Sequence, residues 1–416
     1  MIVGAGFAGL TLAKRLRHAP VHVTVIDREN HHLFQPMLYQ VATAALSPGD
    51  IASPIRSILR RARNADVLLA EAQAIDVGGR VVQLADGRHV PYDSLVLATG
   101  ARHAYFGHDE WEPLAPGLKN LEDAFTIRRR ILLAFELAEQ EADPARRAAL
   151  LTFVIVGAGP TGVELAGAIA EIKEYTLRRD FRNINPREAR VLLLEGGPRV
   201  LAAYPPDLSE KALRQLQRLG VVVRTDTLVT HISGDSVTSG DESVATQTVI
   251  WAAGNLASPL LQTLGADLDR QGRVSVNPDC TLRGHPEIFV LGDAAAFTQD
   301  GALLPGTCPV AIQMGEYVAR VITREARNDA VPGARRPFHY LNKGQLAVIG
   351  RGRGVADLGR ARFGGFFAWL LWIFVHIFFL IGFRNRVIVL TEWAISYFTY
   401  GRGARLITGR GATPAQ

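Results

Sequence analysis

The sequence predicts an α/β fold that contains two parallel-sheet units and ends in a helical segment. One glycine pattern, Gly-x-Gly-x-x-Gly, occurs twice, at residues 4–9 and again at 157–162. Each copy follows an apolar strand pattern, opens a helical pattern and precedes a strand that ends in an acid. The third observation is a long aromatic and apolar stretch near the end of the 416-residue chain. Together they predict two Rossmann-like dinucleotide-binding domains, one discontinuous, plus a C-terminal helical membrane-anchoring segment.

The glycine pattern indicates a phosphate cradle. Its first glycine makes the turn, its second lets a pyrophosphate approach the backbone, and its third packs helix against strand. The helix N-terminus then faces the phosphates, and the acid can hold a ribose hydroxyl. Asp27 follows Gly9 by 18 residues, close to the usual spacing, whereas Glu195 follows Gly162 by 33, which predicts an insertion over 174–187. Two cradles imply two dinucleotides and a relay between cofactors.

The elements of the first half follow in order. The patterns predict strands over 1–3, 21–26, 66–69, 80–84 and 92–97, helices over 10–17 and 123–141, and a hairpin turn at Asp86-Gly87. The run Arg128-Arg129-Arg130 is predicted to be a solvated face of its helix.

The second half repeats the plan and then returns to the first domain. Strands are predicted over 152–156, 191–195, 248–252 and 287–291, with helices over 163–172 and 310–323. We therefore predict a discontinuous first domain at 1–115 and 275–345, a second domain at 116–274, and a C-terminal membrane-associating region at 346–416.

Composition excludes several classes of protein. Cys280 and Cys308 are the chain's only cysteines, too few for a disulfide framework, an iron–sulfur cluster or a Cys-x-x-Cys redox pair. His31-His32 lacks partners at metal-ligand spacing, so no metal site is predicted. The net charge is +6, but nine arginines against two acids from Arg351 onward give +7, which leaves about −1 elsewhere. This distribution argues against a nucleic-acid-binding protein.

The C-terminal stretch predicts contact with a membrane. Residues 363–383 are apolar apart from His376 and are long enough to cross roughly 30 Å of hydrocarbon. The second stretch, 387–399, is too short to span and contains Glu392. We favour helices lying in one leaflet over a true span, with a buried core or dimer helix as the third alternative. Flanking arginines would then meet anionic headgroups, namely Arg351, Arg353, Arg360, Arg362, Arg384, Arg386, Arg402, Arg405 and Arg410. No export signal is visible, so the body is expected at the cytoplasmic face of the cell membrane.

These motifs resemble a known family. Both fingerprints, their acids and the small-residue turns at 98–100, 253–254 and 292–293 look like the two-dinucleotide flavin disulfide-reductase-like superfamily. The loop His32-Leu-Phe-Gln-Pro-Met-Leu-Tyr39 and the aromatic tail carry a narrower match. Through them the whole chain resembles the type II NADH:quinone oxidoreductases.

The resemblance implies two cofactors, FAD in the N-terminal cradle and NADH in the internal one. The residues implied for FAD are Gly4, Gly6, Gly9, Asp27, Gly100, Gly292, Asp293 and Ala311. Those implied for NADH are Gly157, Gly159, Gly162, Glu195 and Gly254. A carboxylate at the strand end repels a 2′-phosphate and favours NADH over NADPH, although Arg199 lies nearby in the sequence.

Three catalytic residues are implied by the same resemblance. Glu164 resembles the family's acid near the nicotinamide, with a first-turn helix acid as the alternative. Gln313 ends Cys308-Pro-Val-Ala-Ile-Gln313, where the family has Ala-Gln-x-Ala-x-Gln; Pro309 replaces the first glutamine, so only the second glutamine of the pair is present. An ordinary helix residue is the alternative for Gln313. Lys343 resembles a family position close to the flavin, or it is a surface salt-bridge lysine.

The implied activity is NADH:quinone oxidation without proton pumping, with hydride passing from NADH to FAD and two electrons then passing to a membrane quinone. Alternatives are a sulfide:quinone oxidoreductase, an NADH-dependent ferredoxin- or rubredoxin-type reductase, and a flavin-bearing redox sensor. A homodimer is left open.

Overall fold

The computed structural model describes residues 1–327, 335–399 and 401–408, so Arg410 lies outside the described residues. The chain separates into two compact units. One comprises Met1–Leu33, Ala52–Arg102 and Asn255–Asn342; the other comprises Phe34–Ile51, His103–Gly254 and Lys343–Gln416. Both units are discontinuous in sequence. These units are defined by packing alone. The domain boundaries that we drew from the sequence remain predictions.

Both units contain α-helices. In the described residues the α-helices are α1 Phe7–Arg15, α2 Leu38–Ala42, α3 Pro48–Ile51, α4 Ile55–Leu59, α5 Leu121–Gln140, α6 Pro144–Leu150, α7 Pro160–Glu171, α8 Pro206–Arg218, α9 Cys308–Ala326, α10 Phe366–Phe379 and α11 Phe383–Thr399. A π-helical turn, Ile172–Thr176, continues α7 into the predicted insertion.

Strands supply the parallel sheets and several small antiparallel ones. They are β1 Ile2–Val3, β2 Val23–Asp27, β3 His31–Leu33, β4 Ala52–Pro54, β5 Ala65–Leu69, β6 Ala72–Asp76, β7 Val81–Leu84, β8 His89–Pro91, β9 Leu95–Leu97, β10 Ala101–His103, β11 Thr152–Val156, β12 Arg190–Leu194, β13 Val221–Arg224, β14 His231–Ile232, β15 Ser236–Ser239, β16 Glu242–Ala245, β17 Thr248–Trp251, β18 Asn255–Ala257, β19 Val274–Ser275, β20 Thr281–Leu282, β21 His285–Val290, β22 Ala295–Ala296, β23 Thr298–Gln299, β24 Ala302–Leu303, β25 Gln345–Gly350, β26 Arg353–Asp357 and β27 Arg362–Gly364.

The first unit is built on a six-stranded sheet in the order β20-β21-β9-β1-β2-β5. Strand β1 lies at its centre, where Ile2 is opposite Val25 on one side and Val96 on the other, both in parallel register. Its apolar side chains are buried because both faces are covered, as parallel sheets require. The carboxyl ends of β1, β2 and β9 therefore open on one edge, where the first glycine turn lies.

The second unit repeats the arrangement with a parallel four-stranded sheet, β13-β12-β11-β17. Val154 is opposite Leu192 and Val249, and all three side chains are buried. Helix α7 follows β11, and the antiparallel sheet β25-β26-β27 belongs to the same unit. The α/β prediction with two Rossmann-like halves is confirmed.

Of two local predictions, one is confirmed and one is wrong. Strands β7 and β8 pair antiparallel around Asp86-Gly87, so the hairpin is confirmed. The prediction that the arginines of α5 form a solvated face is wrong. Arg128 is only 6% exposed and stacks 5.0 Å from the ring centroid of Phe125, while Arg130 donates to the carbonyls of Pro113 and Leu114. The aliphatic part of an arginine side chain can cover apolar surface, and its guanidinium can donate to loop carbonyls. A run of charged residues in the sequence does not show either contact.

The aromatic stretch forms two helices. Glycine residues with positive φ, Gly365 (+84°) and Gly382 (+92°), flank α10, and Arg386 donates to the carbonyls of Phe378 and Leu380 at its end. Within the part of the chain that the structure describes, no helix combines the length and apolar character needed to cross a membrane. A helical C-terminal segment is therefore confirmed. Its arginines are not uniformly available to headgroups, because the Arg402 side chain is 8% exposed.

Candidate functional site

The first glycine turn is packed against its own sheet and open on the other side. Gly4 has φ +97°, and a Cβ there would lie 2.3 Å from the Ala98 carbonyl oxygen. A Cβ on Gly9 would lie 1.9 Å from the Gly4 carbonyl oxygen, whereas one on Gly6 would meet nothing within 4 Å. Gly6 also caps α1 without a side-chain hydrogen bond. The turn thus directs the N-terminus of α1 at an open cradle, an arrangement that suits a bound anion.

Asp27 holds this turn in place. It ends β2, and its carboxylate accepts hydrogen bonds from the amides of Ala5 at 2.5 Å and Glu29 at 2.8 Å. Burial raises the pKa of Asp27 above its ordinary value, and the two amide donors oppose that shift. The acid therefore lies directly at the cradle, where a ribose would be bound.

The second turn has the same geometry. Gly157 has φ +98°, a Cβ on Gly162 would lie 1.9 Å from the Gly157 carbonyl oxygen, and Gly159 caps α7 without a side-chain hydrogen bond. Glu195 accepts from the amides of Ala158 at 2.6 Å and Gly197 at 2.8 Å, as Asp27 does in the first unit. The two predicted cradles are therefore built alike.

Arg199 does not lie free beside Glu195. Its guanidinium donates to the carbonyls of Ala202 at 2.8 Å and Tyr204 at 2.9 Å, within its own loop. A carboxylate at the strand end and an arginine already satisfied by backbone both suit a free 2′-hydroxyl better than a 2′-phosphate.

Unpaired buried polar atoms of the first unit fit a bound dinucleotide. Among the described residues, His32 Nε2 and Thr99 Oγ1 are buried without a hydrogen-bond partner. The other ring nitrogen of His32 lies 3.0 Å from the Ala5 carbonyl oxygen, and the ring meets Phe7 edge to face at 5.1 Å. Buried polar atoms are normally satisfied, so these two beside an open cradle are the donors and acceptors that a polar ligand would use.

The remaining residues predicted for FAD lie at one end of the first sheet or on α9. Gly292 (φ +64°) follows β21, and its Cβ position would be 3.2 Å from the Cβ of Ala311. Asp293 comes next and is half-buried, with its carboxylate against Gly306. Gly292 and Ala311 are therefore adjacent in the structure, although 19 residues separate them in the sequence.

A neighbour of Gly254 was missed by the sequence reasoning. Gly254 (φ +72°) follows β17 in the second unit, and the ring of Phe106 comes within 2.6 Å of its Cβ position. Phe106 is 70% exposed and holds a left-handed backbone, φ +55°. A positive φ in an aromatic residue often marks a functional constraint.

The three predicted catalytic residues have different environments. Gln313 lies on α9 in the first unit, where its amide donates to the Leu341 carbonyl and accepts from the Leu341 amide, both at 3.0 Å. Lys343 is exposed and precedes β25 in the second unit. Glu164 lies in the first turns of α7 and faces a cavity of that unit. Their catalytic roles remain predictions.

We call this cavity the aromatic cavity. Its lining includes Tyr39, Gln40, Thr43, Ala45, Glu164, Ala168, Glu171, Val348, Ile349, Gly350, Arg351, Trp369, Trp372, Ile373, Trp393, Ser396, Tyr397 and Arg402. Burial raises the pKa of Glu164 well above its usual range, opposed by a hydrogen bond from the Val348 amide. Because its pKa is raised, this carboxyl keeps its proton to a higher pH than an ordinary glutamate does.

A chain of hydrogen bonds crosses one wall of the aromatic cavity. Trp393 Nε1 donates to Gln40 Oε1 at 2.7 Å, and Gln40 Nε2 donates to the Tyr39 hydroxyl at 3.0 Å. Burial raises the pKa of Tyr39 strongly. Gln40 and Trp393 lie 353 residues apart, so only the fold brings them together.

Several residues of the lining are aromatic. Trp372 stacks on His376 with ring centroids 3.9 Å apart and lies 5.6 Å from Trp393. Burial lowers the pKa of His376 to about 4, partly opposed by the hydrogen bond between its ring and the Trp372 carbonyl. The Trp372 and Trp393 rings, which line the cavity, suit contact with a flat, apolar ring.

Comparison with known proteins agrees with this architecture. Residues 1–315 match the family model described as pyridine nucleotide-disulphide oxidoreductase, and residues 342–403 match the NDH2 C-terminal domain. The chain is 45% identical to the type II NADH:quinone oxidoreductase NdhA of Mycobacterium tuberculosis, over 99% of this chain and 89% of that protein. It is 44% identical to Ndh of the same organism, over 99% and 90%.

A solved structure supports the fold independently. NDH2 from Plasmodium falciparum, in complex with NADH, is similar with a TM-score of 0.86 at 18% identity, covering 98% of this chain and 99% of that one. The sequence identity over nearly the whole chain identifies the family more narrowly than the fold does. The chain belongs to the type II NADH:quinone oxidoreductase family.

Proposed function

We infer that this protein is an FAD-dependent NADH:quinone oxidoreductase. The observation that carries this conclusion is the pair of matched cradles in a chain 45% identical to a type II NADH:quinone oxidoreductase along its whole length. FAD held in the first cradle would supply the chemistry that couples hydride transfer from NADH to two-electron reduction of a quinone. Proton translocation is not part of the proposal.

The roles of individual residues follow from their placement. The first turn and Asp27 would hold FAD, and the uncapped N-terminus of α1 would face its phosphates. The second turn and Glu195 would hold NADH in the same way. Each cradle would position its cofactor and exclude water, since positioning accounts for much of the rate in such reactions.

We propose the aromatic cavity as the site of the quinone ring. Tryptophans offer flat apolar contact, while Gln40 and the Tyr39 hydroxyl offer polar contact at one edge. Glu164, whose burial favours the protonated form, would supply a proton to the reduced ring. Gln313 is satisfied by Leu341, which favours a structural role in holding the chain ahead of β25.

The thiol-based alternative has little support. Cys280 is fully buried with φ +64°, and burial raises the pKa of its thiol well above the usual range. A buried neutral thiol is a poor nucleophile for carrying sulfur. Cys308 starts α9, and neither cysteine is in a disulfide.

The direct test is NADH oxidation by the purified, detergent-solubilised protein, with and without a short-chain quinone, while the flavin spectrum is followed. We expect NADH to bleach the flavin and quinone to restore it over many turnovers. Bleaching without quinone-driven recovery would contradict the quinone assignment and favour a protein acceptor or a sensor. An unbleached flavin would contradict the NADH assignment.

We propose further that α10 and α11 rest on the cytoplasmic face of the membrane. Large apolar side chains of α10 face solvent, with Phe367, Phe374 and Phe378 exposed by 73%, 70% and 61%. Arg360, Arg362 and Arg384 are also exposed and suit anionic headgroups. Arg351, Arg386 and Arg402 instead donate to backbone carbonyls of the protein.

Vesicle sedimentation tests this placement. Phe374→Ser is expected to reduce binding to vesicles that contain anionic lipid, while Leu228→Ser, at an equally exposed position, is not. Neutral vesicles should bind more weakly. Two results together would assign this face to a second copy of the chain instead. Phe374→Ser would sediment with vesicles as wild type does, and the wild-type protein would have a dimeric mass that the substitution abolishes.

A further inference from the structure

One arginine of the C-terminal tail is buried inside the second unit. Arg402 lies in the segment 401–408, which follows α11, and its side chain is 8% exposed. Its guanidinium donates to the Thr43 carbonyl at 2.6 Å and the Ala168 carbonyl at 3.2 Å, and lies 3.4 Å from Glu171 Oε2. A buried charge is costly unless it is paired and hydrogen-bonded, and this one is both.

The three partners of Arg402 come from two elements, α2 and α7, and all three line the aromatic cavity. Thr43 follows the last residue of α2, so its carbonyl is at a helix C-terminus, where a cation is favoured. Ala168 and Glu171 lie in the last turn of α7, directly before the π-helical turn Ile172–Thr176. Side chains that bond to the ladder carbonyls are a recognised cause of such irregularities.

Glu171 extends the contact to β25. Its second carboxylate oxygen accepts a hydrogen bond from the Arg351 amide at 2.6 Å, just after β25 ends. The Arg351 guanidinium in turn donates to the carbonyls of Ser396 and Tyr397 in α11 and stacks over the Tyr397 ring at 5.3 Å. The pair Arg402–Glu171 therefore connects the tail, α2, α7, β25 and α11.

We propose that Arg402 is a positioning residue for the quinone reaction: by tying the tail to α2 and α7, it holds the walls of the aromatic cavity at their spacing. The proposal rests on the proposed function for the identity of the ligand. Arg402 itself acts through Tyr39 and Gln40, which precede Thr43, and through Glu164, which lies one turn before Ala168. The tail is thus part of the site, in addition to any role at the membrane.

The same segment offers a matched control. Arg405 lies three residues later and pairs with Asp180, but its side chain is 37% exposed and does not line the cavity. Exposed ion pairs contribute little. Arg402→Met removes the buried charge with little loss of volume, Arg402→Lys keeps the charge, and Arg405→Met removes an equal charge from the same segment.

We expect Arg402→Met to raise the KM for a short-chain quinone by about tenfold or more. The kcat and the KM for NADH should stay within about twofold of wild type, because both cradles lie outside the altered contacts. Arg402→Lys should recover part of the quinone KM, and Arg405→Met should match wild type. A wild-type quinone KM in Arg402→Met, an equal rise in the KM for NADH, or the same defect in Arg405→Met would overturn the proposal.

Hydrogen exchange gives a readout that does not depend on turnover. Amides of the last turns of α11 and of residues 401–408 should exchange faster in Arg402→Met than in Arg405→Met. Should Arg402→Met fail to retain its flavin, Arg402→Lys and Glu171→Gln serve instead, and wild-type quinone KM values in both would refute the role. If quinone does not reoxidise the flavin of the wild-type protein, only the proposed function is contradicted. Hydrogen exchange still tests whether Arg402 holds the tail.

Discussion

Alanine at the third glycine of each cradle is expected to remove one cofactor and spare the other. A Cβ on Gly9 or Gly162 would lie 1.9 Å from a backbone carbonyl oxygen, whereas ordinary contact begins at 3.4 Å. The turn must therefore open by about 1.5 Å in either variant. The obstacle is backbone of the same turn, so no side chain can move aside to relieve the clash. The N–H groups that would face the phosphates must therefore move.

The magnitude follows from the cost of overpacking. Forcing extra carbon into a packed site costs about 1–3 kcal/mol or more. At 1.4 kcal/mol per tenfold change, a loss near 3 kcal/mol weakens cofactor affinity roughly 150-fold. We expect Gly9→Ala to purify largely without flavin, and Gly162→Ala to keep its flavin but to need far more NADH to bleach it.

The assay is flavin absorbance of the purified variants, followed by titration with NADH. Gly6→Ala and Gly159→Ala are controls for folding only, since a Cβ at either position meets no protein atom within 4 Å but lies where the pyrophosphate would approach. Their melting temperatures without cofactor should equal that of wild type. Full flavin content in Gly9→Ala, or wild-type NADH affinity in Gly162→Ala, would refute the reasoning; an exchanged pattern would reverse the assignment of the two cradles.

Three further predictions concern the cavity and the cysteines. Because burial raises the pKa of Glu164, folding favours its neutral form, so wild type should lose stability relative to Glu164→Gln as pH rises from the ordinary value of 4.5 towards the folded pKa. Melting temperatures from about pH 5 to about pH 8 measure this, and a difference independent of pH would contradict it. Trp393→Phe deletes the donor to buried Gln40, so we expect about 1 kcal/mol of lost quinone binding, seen as a roughly fivefold higher quinone KM with the KM for NADH unchanged. Replacing Cys280 and Cys308 by alanine should leave NADH:quinone turnover within about threefold, and abolished turnover would revive a thiol mechanism.

The parts of the site that the sequence predicted are those in which contiguous residues act together. The fingerprint residues, Asp27 and Glu195 could be placed because a glycine turn, its helix and the following strand form a local unit. The same reasoning predicted the hairpin at Asp86-Gly87. It failed for Arg128, since a run of charges does not show which side of a helix is covered.

The aromatic cavity depended on the tertiary structure. Its hydrogen bond between Gln40 and Trp393 and its ion pair between Glu171 and Arg402 join residues more than 200 positions apart. In the sequence, Arg402 is one of nine C-terminal arginines, and nothing distinguishes it from Arg405. Periodicity and turn chemistry report on neighbours along the chain. Which distant groups share a buried site is decided by packing, because burial is what makes one arginine structural and leaves another in solvent.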